Sequence, residues 1–112
     1  MPSIMHAMES STVVFATEKQ NAKIKPNVLV VDNYAGSGEN VITIVDRFTP
    51  SETHGEASPT ETTVNRLRTT VDNGSLEILG DQLKNVEILG QAEVAIAAMD
   101  SGCYVTMGWD FE

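Results

Sequence analysis

The chain is short of cysteine, aromatic residues and basic residues, and each shortage narrows the possibilities. It has one cysteine, Cys103, so no internal disulfide can form and a reducing compartment is expected. Aromatic residues make up only 5% of the 112 residues, so we expect the core to need those it has. Lys and Arg number 7 against 16 Asp and Glu, which gives a net charge of −9. This balance argues against nucleic-acid binding and against an anionic membrane surface, and it favours either solubility or a basic partner.

Long hydrophobic runs are also missing. No apolar stretch reaches the roughly 18 residues that a membrane-spanning helix needs, and the N-terminus lacks the basic start and apolar block of a secretory signal. On these grounds we expect a cytoplasmic chain. Residues 1–11 read as a flexible N-terminal arm, and 12–112 as a single β domain.

The dominant hydrophobic period is two residues, which is typical of strands. Glycine-containing turns lie between two pairs of such runs. We therefore predict that 27–34 pairs with 40–48 across the AGSGE turn, and that 86–98 pairs with 103–111 across the MDSG turn. Residues 11–18 and 64–71 are further candidate strands, and the Asn-Gly sequence in 72–75 is a strong turn signal.

Helical periodicity is weak throughout the chain. The best helix candidate is SLEILGDQLKN, whose central Gly80 is unfavourable; its LEIL part also fits a short strand. The predicted fold class is therefore all-β, a small antiparallel β-sandwich or β-barrel of about 5–7 strands with at most one short helix. Residues 49–63 contain almost no apolar side chain and are predicted to form a long exposed loop.

The motifs that suggest chemistry have simpler structural interpretations. VVDNYAGSGENV resembles a nucleotide-binding glycine loop, but a strand-like run follows it where a helix is required, which favours a turn. Asp32, Asp46 and Asp72 lie at the ends of β-runs without the spacing of a calcium loop. Cys103 alternates with apolar residues and is predicted to be a buried thiol. No catalytic, cofactor-binding or metal-binding residue is assigned.

Contact with other proteins is the remaining interpretation. Arg66 and Arg68 share a predicted strand, where they either pair with acids of a neighbouring subunit or form intrachain pairs. The candidate interaction residues come from the arm, the loop and this strand: Met1, Pro2, Ser3, Ile4, Met5, His54, Arg66 and Arg68.

The runs FTPSETHGEASPTETTVNRLRTTV, VEILGQAEVAI and CYVTMGW resemble small β-rich decoration, or head-stabilising, proteins of tailed bacteriophages. The similarity spans residues 27–111 and lies in Thr-rich strands, a Pro/Ser/Thr loop and a short domain with an arm. It contains no motif that transfers a functional residue. The resemblance implies a non-enzymatic virion component, a homo-oligomer with a trimer favoured. It would bind the major capsid protein or another repeating lattice through its N-terminal arm, long loop and sheet edges.

Two other classes stay open at this point. One is a small ligand- or metal-binding β-barrel or enzyme subunit, with Asp32, Asp46 and the glycine turn 36–38 lining a pocket. The other is a cellular oligomeric scaffold or adaptor.

Overall fold

Two antiparallel four-stranded sheets pack against each other. The computed structural model describes residues 2–19, 21–49 and 60–112. Sheet A has the strand order β1-β8-β3-β6 and sheet B the order β2-β7-β4-β5. The strands are β1 Ser3–Met8, β2 Thr12–Ala16, β3 Ile24–Asp32, β4 Asn40–Phe48, β5 Thr62–Val71, β6 Leu76–Leu79, β7 Gln91–Ile96 and β8 Asp100–Phe111.

The all-β prediction is confirmed, and the architecture is a sandwich. Within the described ranges no strand of one sheet pairs with a strand of the other, so the sheets do not close into a barrel. Alternate residues of each strand meet in the middle because strand side chains point to opposite faces in turn. The core includes Leu29, Val31, Ile44, Val94 and Met107, each at most 1% exposed.

Both predicted hairpins are wrong. The run 27–34 falls in β3 of sheet A, whereas 40–48 forms β4 of sheet B. Likewise β7 belongs to sheet B and β8 to sheet A. A short glycine-containing connection fits a crossing between sheets as well as a return within one sheet, so the turn signal alone does not decide the pairing.

The long strand predicted over 86–98 is shortened at both ends, to Gln91–Ile96. Residues 86–90 leave the ladder, and only Ile88 makes an isolated bridge, to Ile24. The cause is Asp46, whose carboxylate accepts hydrogen bonds from the Leu89 and Gly90 amides. Those amides are therefore held by a side chain rather than by a neighbouring strand.

The expected N-terminal arm is wrong over Ser3–Met8, which forms β1 at the edge of sheet A. It pairs with β8 from Ser3 opposite Gly108 to Ala7 opposite Tyr104. The physical reason is alternation: Met8 is fully buried, and the His6 ring packs edge-on against Phe15 with centroids 5.1 Å apart.

The LEIL segment is a strand, β6, and not a helical turn. The helix candidate reduces to a single 3-10 turn at Asp81–Leu83. Gly74 in the preceding turn has φ +82°, in keeping with the predicted Asn-Gly turn. The predicted strand 11–18 is confirmed as β2. Most of the predicted 49–63 loop lies outside the described residues.

Candidate interaction surface

The outer face of sheet A is formed by rows of residues that cross three or four of its strands. In the central row Met5 lies opposite Thr106, Thr106 opposite Val30, and Val30 opposite Ile78. Residues opposite each other in neighbouring strands share a face, and these alternate with the buried residues of the core. The outer face of sheet A comprises three rows: Ser3, Gly108 and Val28; Met5, Thr106, Val30 and Ile78; Ala7, Tyr104, Asp32 and Leu76.

This face is apolar and open. Ile78 is 67% exposed, Met5 61% and Leu76 53%. Within these three rows Asp32 is the only charged residue, and the next row of the same face holds Lys25 opposite Asp110. With strands about 4.8 Å apart and about 3.4 Å per residue, the face covers roughly 300 Å² in projection. Contiguous apolar patches of this size on monomers are often functional.

The outer face of sheet B carries a cluster of polar side chains that pair with each other. Glu93 accepts hydrogen bonds from Arg47 Nε at 2.8 Å and from Gln91 Nε2 at 2.7 Å. The pKa of Arg47 is raised, first by its hydrogen bond to Glu93 and then by its bond to Glu61. The two outer faces of the sandwich therefore differ in chemical character.

Asp46 and Arg66 form a buried intrachain ion pair. Arg66 Nη2 lies 2.8 Å from Asp46 Oδ2, and the Asp46 side chain is 0% exposed. The same carboxylate accepts from Leu89 N at 2.9 Å and from Gly90 N at 3.0 Å. Asp46 therefore ties β4, β5 and the segment before β7 together. Sequence reasoning placed it only at a strand end, because its partners are distant in the chain.

A second buried polar cluster holds the connection between β3 and β4. Asn33 Nδ2 donates to the Gly38, Val71 and Asp72 carbonyls at 2.8–3.2 Å. A Cβ at Gly36 would collide with the Asn33 side chain, so the glycine makes room for this network. The glycine turn thus has a structural explanation within its own loop.

Asp100, in β8, binds the connection between β3 and β4 through hydrogen bonds. Its carboxylate accepts hydrogen bonds from Ser37 N at 2.8 Å, Asn40 Nδ2 at 3.0 Å and Gly102 N at 3.1 Å. These donors, Asn40 first, lower the pKa of Asp100. The nearby Cys103 is fully buried as predicted, and burial, followed by the charge of Asp100, raises the pKa of its thiol.

The acids considered for a metal site are not brought together. Asp32 is in β3 of sheet A and Asp46 in β4 of sheet B, where its carboxylate is occupied by the donors described above. The described part of the chain has no group of three or more His, Cys, Asp or Glu side chains placed to hold one ion.

The N-terminal candidate residues lie in or beside β1. Ser3 and Met5 belong to the outer face of sheet A, whereas Ile4 lies opposite the buried Met107 and so points inward. The Pro2 carbonyl accepts a hydrogen bond from Trp109 N at 3.0 Å. These residues therefore belong to or adjoin a sheet and do not form a free arm.

The remaining predicted interaction residues fall into three groups. Met1 and His54 lie outside the described residues. Arg66 is held by Asp46. Arg68 donates from Nε to Thr43 Oγ1 at 3.2 Å.

Sequence reasoning missed Val30, Leu76, Ile78 and Tyr104 as surface residues. The available signal was apolarity on both parities of NVLVV and LEIL. A strand with only one face in the core alternates apolar and polar, whereas a strand apolar on both faces expects a cover on both. The second face of these two strands has no cover within the described chain.

Comparison with protein-family models, curated proteins and solved structures gave no match. Among the residues described, no helix has the length and apolar character required to cross a bilayer.

Proposed function

We propose that this chain is a non-enzymatic structural protein that binds a repeating protein lattice, as capsid decoration proteins do, through the outer face of sheet A. The observation that carries the proposal is the contrast between the two outer faces. Sheet B pairs Arg47 and Arg66 with carboxylates of the same chain, while three rows of the outer face of sheet A are largely apolar, with Asp32 as their only carboxylate. A surface of this kind, on a chain of charge −9, fits protein contact better than chemistry.

The size of the face favours a lattice over a single tight partner. A stable interface buries about 800 Å² per partner, which exceeds the roughly 300 Å² of this face in projection. One copy alone would therefore bind weakly. A homo-oligomer, with a trimer favoured, that engages several equivalent sites would gain avidity without further contacts.

The charge distribution indicates what the partner surface offers. The proposed partner surface is apolar at its centre, where it contacts Met5, Val30 and Ile78. Around this centre the partner surface is basic, because this chain is acidic overall and Asp32 lies within the contacting face. The proposed partner is the major capsid protein, and the proposed location is the virion.

The test is co-sedimentation with shells assembled from the capsid protein encoded beside this gene. Ile78→Lys places a charge in the apolar face, and Thr70→Lys, on exposed β5 of sheet B, is the matched control. We expect Ile78→Lys to weaken attachment at least about tenfold and Thr70→Lys to bind like the wild type.

Equal attachment of both variants would show that the outer face of sheet A does not contact the capsid shell. The absence of a capsid gene from the neighbourhood would count against the virion assignment. A rise of several degrees in melting temperature with a nucleotide or a divalent ion would point to a ligand-binding protein instead.

A further inference from the structure

Arg68 differs from the other two arginines of the chain. Arg47 lies 2.8 Å from Glu93, and Arg66 lies 2.8 Å from Asp46. Arg68 has no carboxylate within ion-pair distance among the described residues. The chain has 16 acidic residues, yet Arg68 is paired with none of those described. Its guanidinium is therefore available to a carboxylate of another molecule.

The Arg68 guanidinium is nevertheless anchored. Its Nε donates to Thr43 Oγ1 at 3.2 Å, and Thr43 is only 7% exposed on the central strand β4. A guanidinium has five N–H donors. With Nε held by a buried hydroxyl, both Nη groups stay without an acceptor in the described chain.

Arg68 also borders an open depression on the outer face of sheet B. In the strand register Arg68 lies opposite Thr43, and Thr43 lies opposite Ala95. The depression, of about 330 Å³, is lined by Val41, Thr43, Arg68, Ala95, Ile96 and Ala97. Its alanines leave room above the sheet, so an incoming side chain can reach the guanidinium.

We propose that Arg68 and Thr43 form a binding site for a carboxylate, and that an acidic side chain of a second copy of this chain supplies it. The planar guanidinium matches a carboxylate with two parallel hydrogen bonds. A single arginine in a mostly apolar depression suits a singly charged group better than a phosphate. The second copy as source rests on the homo-oligomer of the proposed function.

The experiment measures association of the full chain by sedimentation velocity over a range of protein concentrations. The variants are Arg68→Gln, Arg68→Lys and the control Lys84→Gln, which removes a positive charge from an exposed residue outside the depression. Sodium succinate serves as a free carboxylate probe, with sodium chloride at equal ionic strength as its control. Binding of succinate is followed by the amide chemical shifts of Thr43, Ala95 and Ala97.

We expect Arg68→Gln to raise the dissociation constant of the oligomer about tenfold, because a charged hydrogen bond is lost. The dissociation constant of Arg68→Lys should lie between those of Arg68→Gln and the wild type, because lysine keeps the positive charge but lacks the planar guanidinium. Lys84→Gln should match the wild type, and succinate should compete with association. An unchanged melting temperature for Arg68→Gln shows that the fold is intact.

Other outcomes overturn the inference in distinguishable ways. If the chain is monomeric but succinate binds at Arg68, a second copy is not the source and the site takes a free carboxylate. If the wild type and Arg68→Gln associate equally and succinate leaves the amide chemical shifts unchanged, the carboxylate site does not exist. The lattice proposal is unaffected by this result. If the chain is monomeric, succinate shifts nothing and capsid shells are not bound, both proposals fail.

Discussion

At the scale of single residues, the buried acids of this protein are saturated with internal donors. Asp46 receives bonds from Arg66, Leu89 and Gly90, and Asp100 receives bonds from the connection between β3 and β4. A buried carboxylate is stable only when its oxygens are paired. Their positions therefore follow from the need to hold loops against strands, and no reaction is required to explain them.

Replacing Asp46 with alanine should destabilise the protein strongly. The change leaves Arg66 and two backbone amides without their acceptor, and removing one partner of a buried pair typically costs about 3–5 kcal/mol. The measurement is the free energy of unfolding in urea. The control is Glu87→Ala, whose partner Lys23 is about half exposed, where a loss under about 1 kcal/mol is expected. Similar losses for both variants would contradict the assigned role of Asp46.

Asp100 should make stability depend on pH. Its pKa is lowered in the folded protein, so the native state binds fewer protons than the unfolded chain at acidic pH. Its contribution is fully present above the unfolded pKa of about 4 and is lost as pH falls through the lower folded pKa. We expect the difference in unfolding free energy between wild type and Asp100→Asn to shrink as pH is lowered from 7 toward 3. A difference independent of pH would argue that the carboxylate charge is irrelevant.

At the scale of elements, the turns decide which sheet each strand joins. The turn 72–75 passes the chain from β5 in sheet B to β6 in sheet A. Its Gly74 has φ +82°, a backbone conformation that residues with a Cβ rarely adopt. An added Cβ there would contact nothing within 4 Å, so only the conformation itself matters.

Gly74→Ala should therefore destabilise the protein by about 1–2 kcal/mol, the cost of a left-handed conformation for an L-residue. Gly80→Ala is the matched control, because Gly80 also has open space around its Cβ position but has φ −138°. We expect the control to be neutral or slightly stabilising in the same thermal unfolding assay. Equal effects at both glycines would show that the turn tolerates an ordinary residue.

The edge strand β1 should be needed for the stability of sheet A. Deleting residues 2–8 removes the hydrogen-bonded partner of β8 and the fully buried Met8. The loss of one large core side chain alone costs about 2–5 kcal/mol. Urea unfolding should show a clear loss of stability, with protection from hydrogen exchange reduced mainly in β8. A deletion variant as stable as the wild type would restore the view of this segment as a free arm.

The alternation of residues was enough to predict most strands and the fold class, because it depends on neighbours in the chain. STVVFATE and NVITIVDRF contain β2 and β4, as predicted. The pairing was not predictable in the same way, since the crossing from β3 to β4 depends on Asp100, which lies 63 residues from Ser37 in the sequence. The outer face of sheet A likewise required the register of four strands, although the doubly apolar β3 pointed toward it.

At the scale of the whole molecule, the outer faces of the two sheets differ in how their charged groups are distributed. A net charge of −9 keeps copies of the chain apart except where charge is sparse. The three rows of the outer face of sheet A around Met5, Val30 and Ile78, with Asp32 as their only charged residue, are such a place. Contact through these rows is how the proposed lattice binding is compatible with an acidic chain.

The apolar character of these rows should therefore be removable without loss of the fold. The double variant Met5→Glu/Ile78→Glu changes two residues that are 61% and 67% exposed in one continuous face. Substitutions at exposed positions usually change stability by less than about 0.5 kcal/mol, so its urea unfolding should match the wild type. Its retention on a hydrophobic-interaction column and its binding of an apolar fluorescent dye should fall sharply.

The matched control is Val14→Glu/Leu89→Glu, which alters two apolar residues that are 43% and 45% exposed but lie apart from this face. Because retention depends on contiguous apolar area, the control should lose much less of it than the Met5/Ile78 pair. Equal losses would mean that the protein's surface apolarity is dispersed. In that case nothing would distinguish the outer face of sheet A as the contact surface. The lattice proposal would then lose its main support, the contrast between the two outer faces.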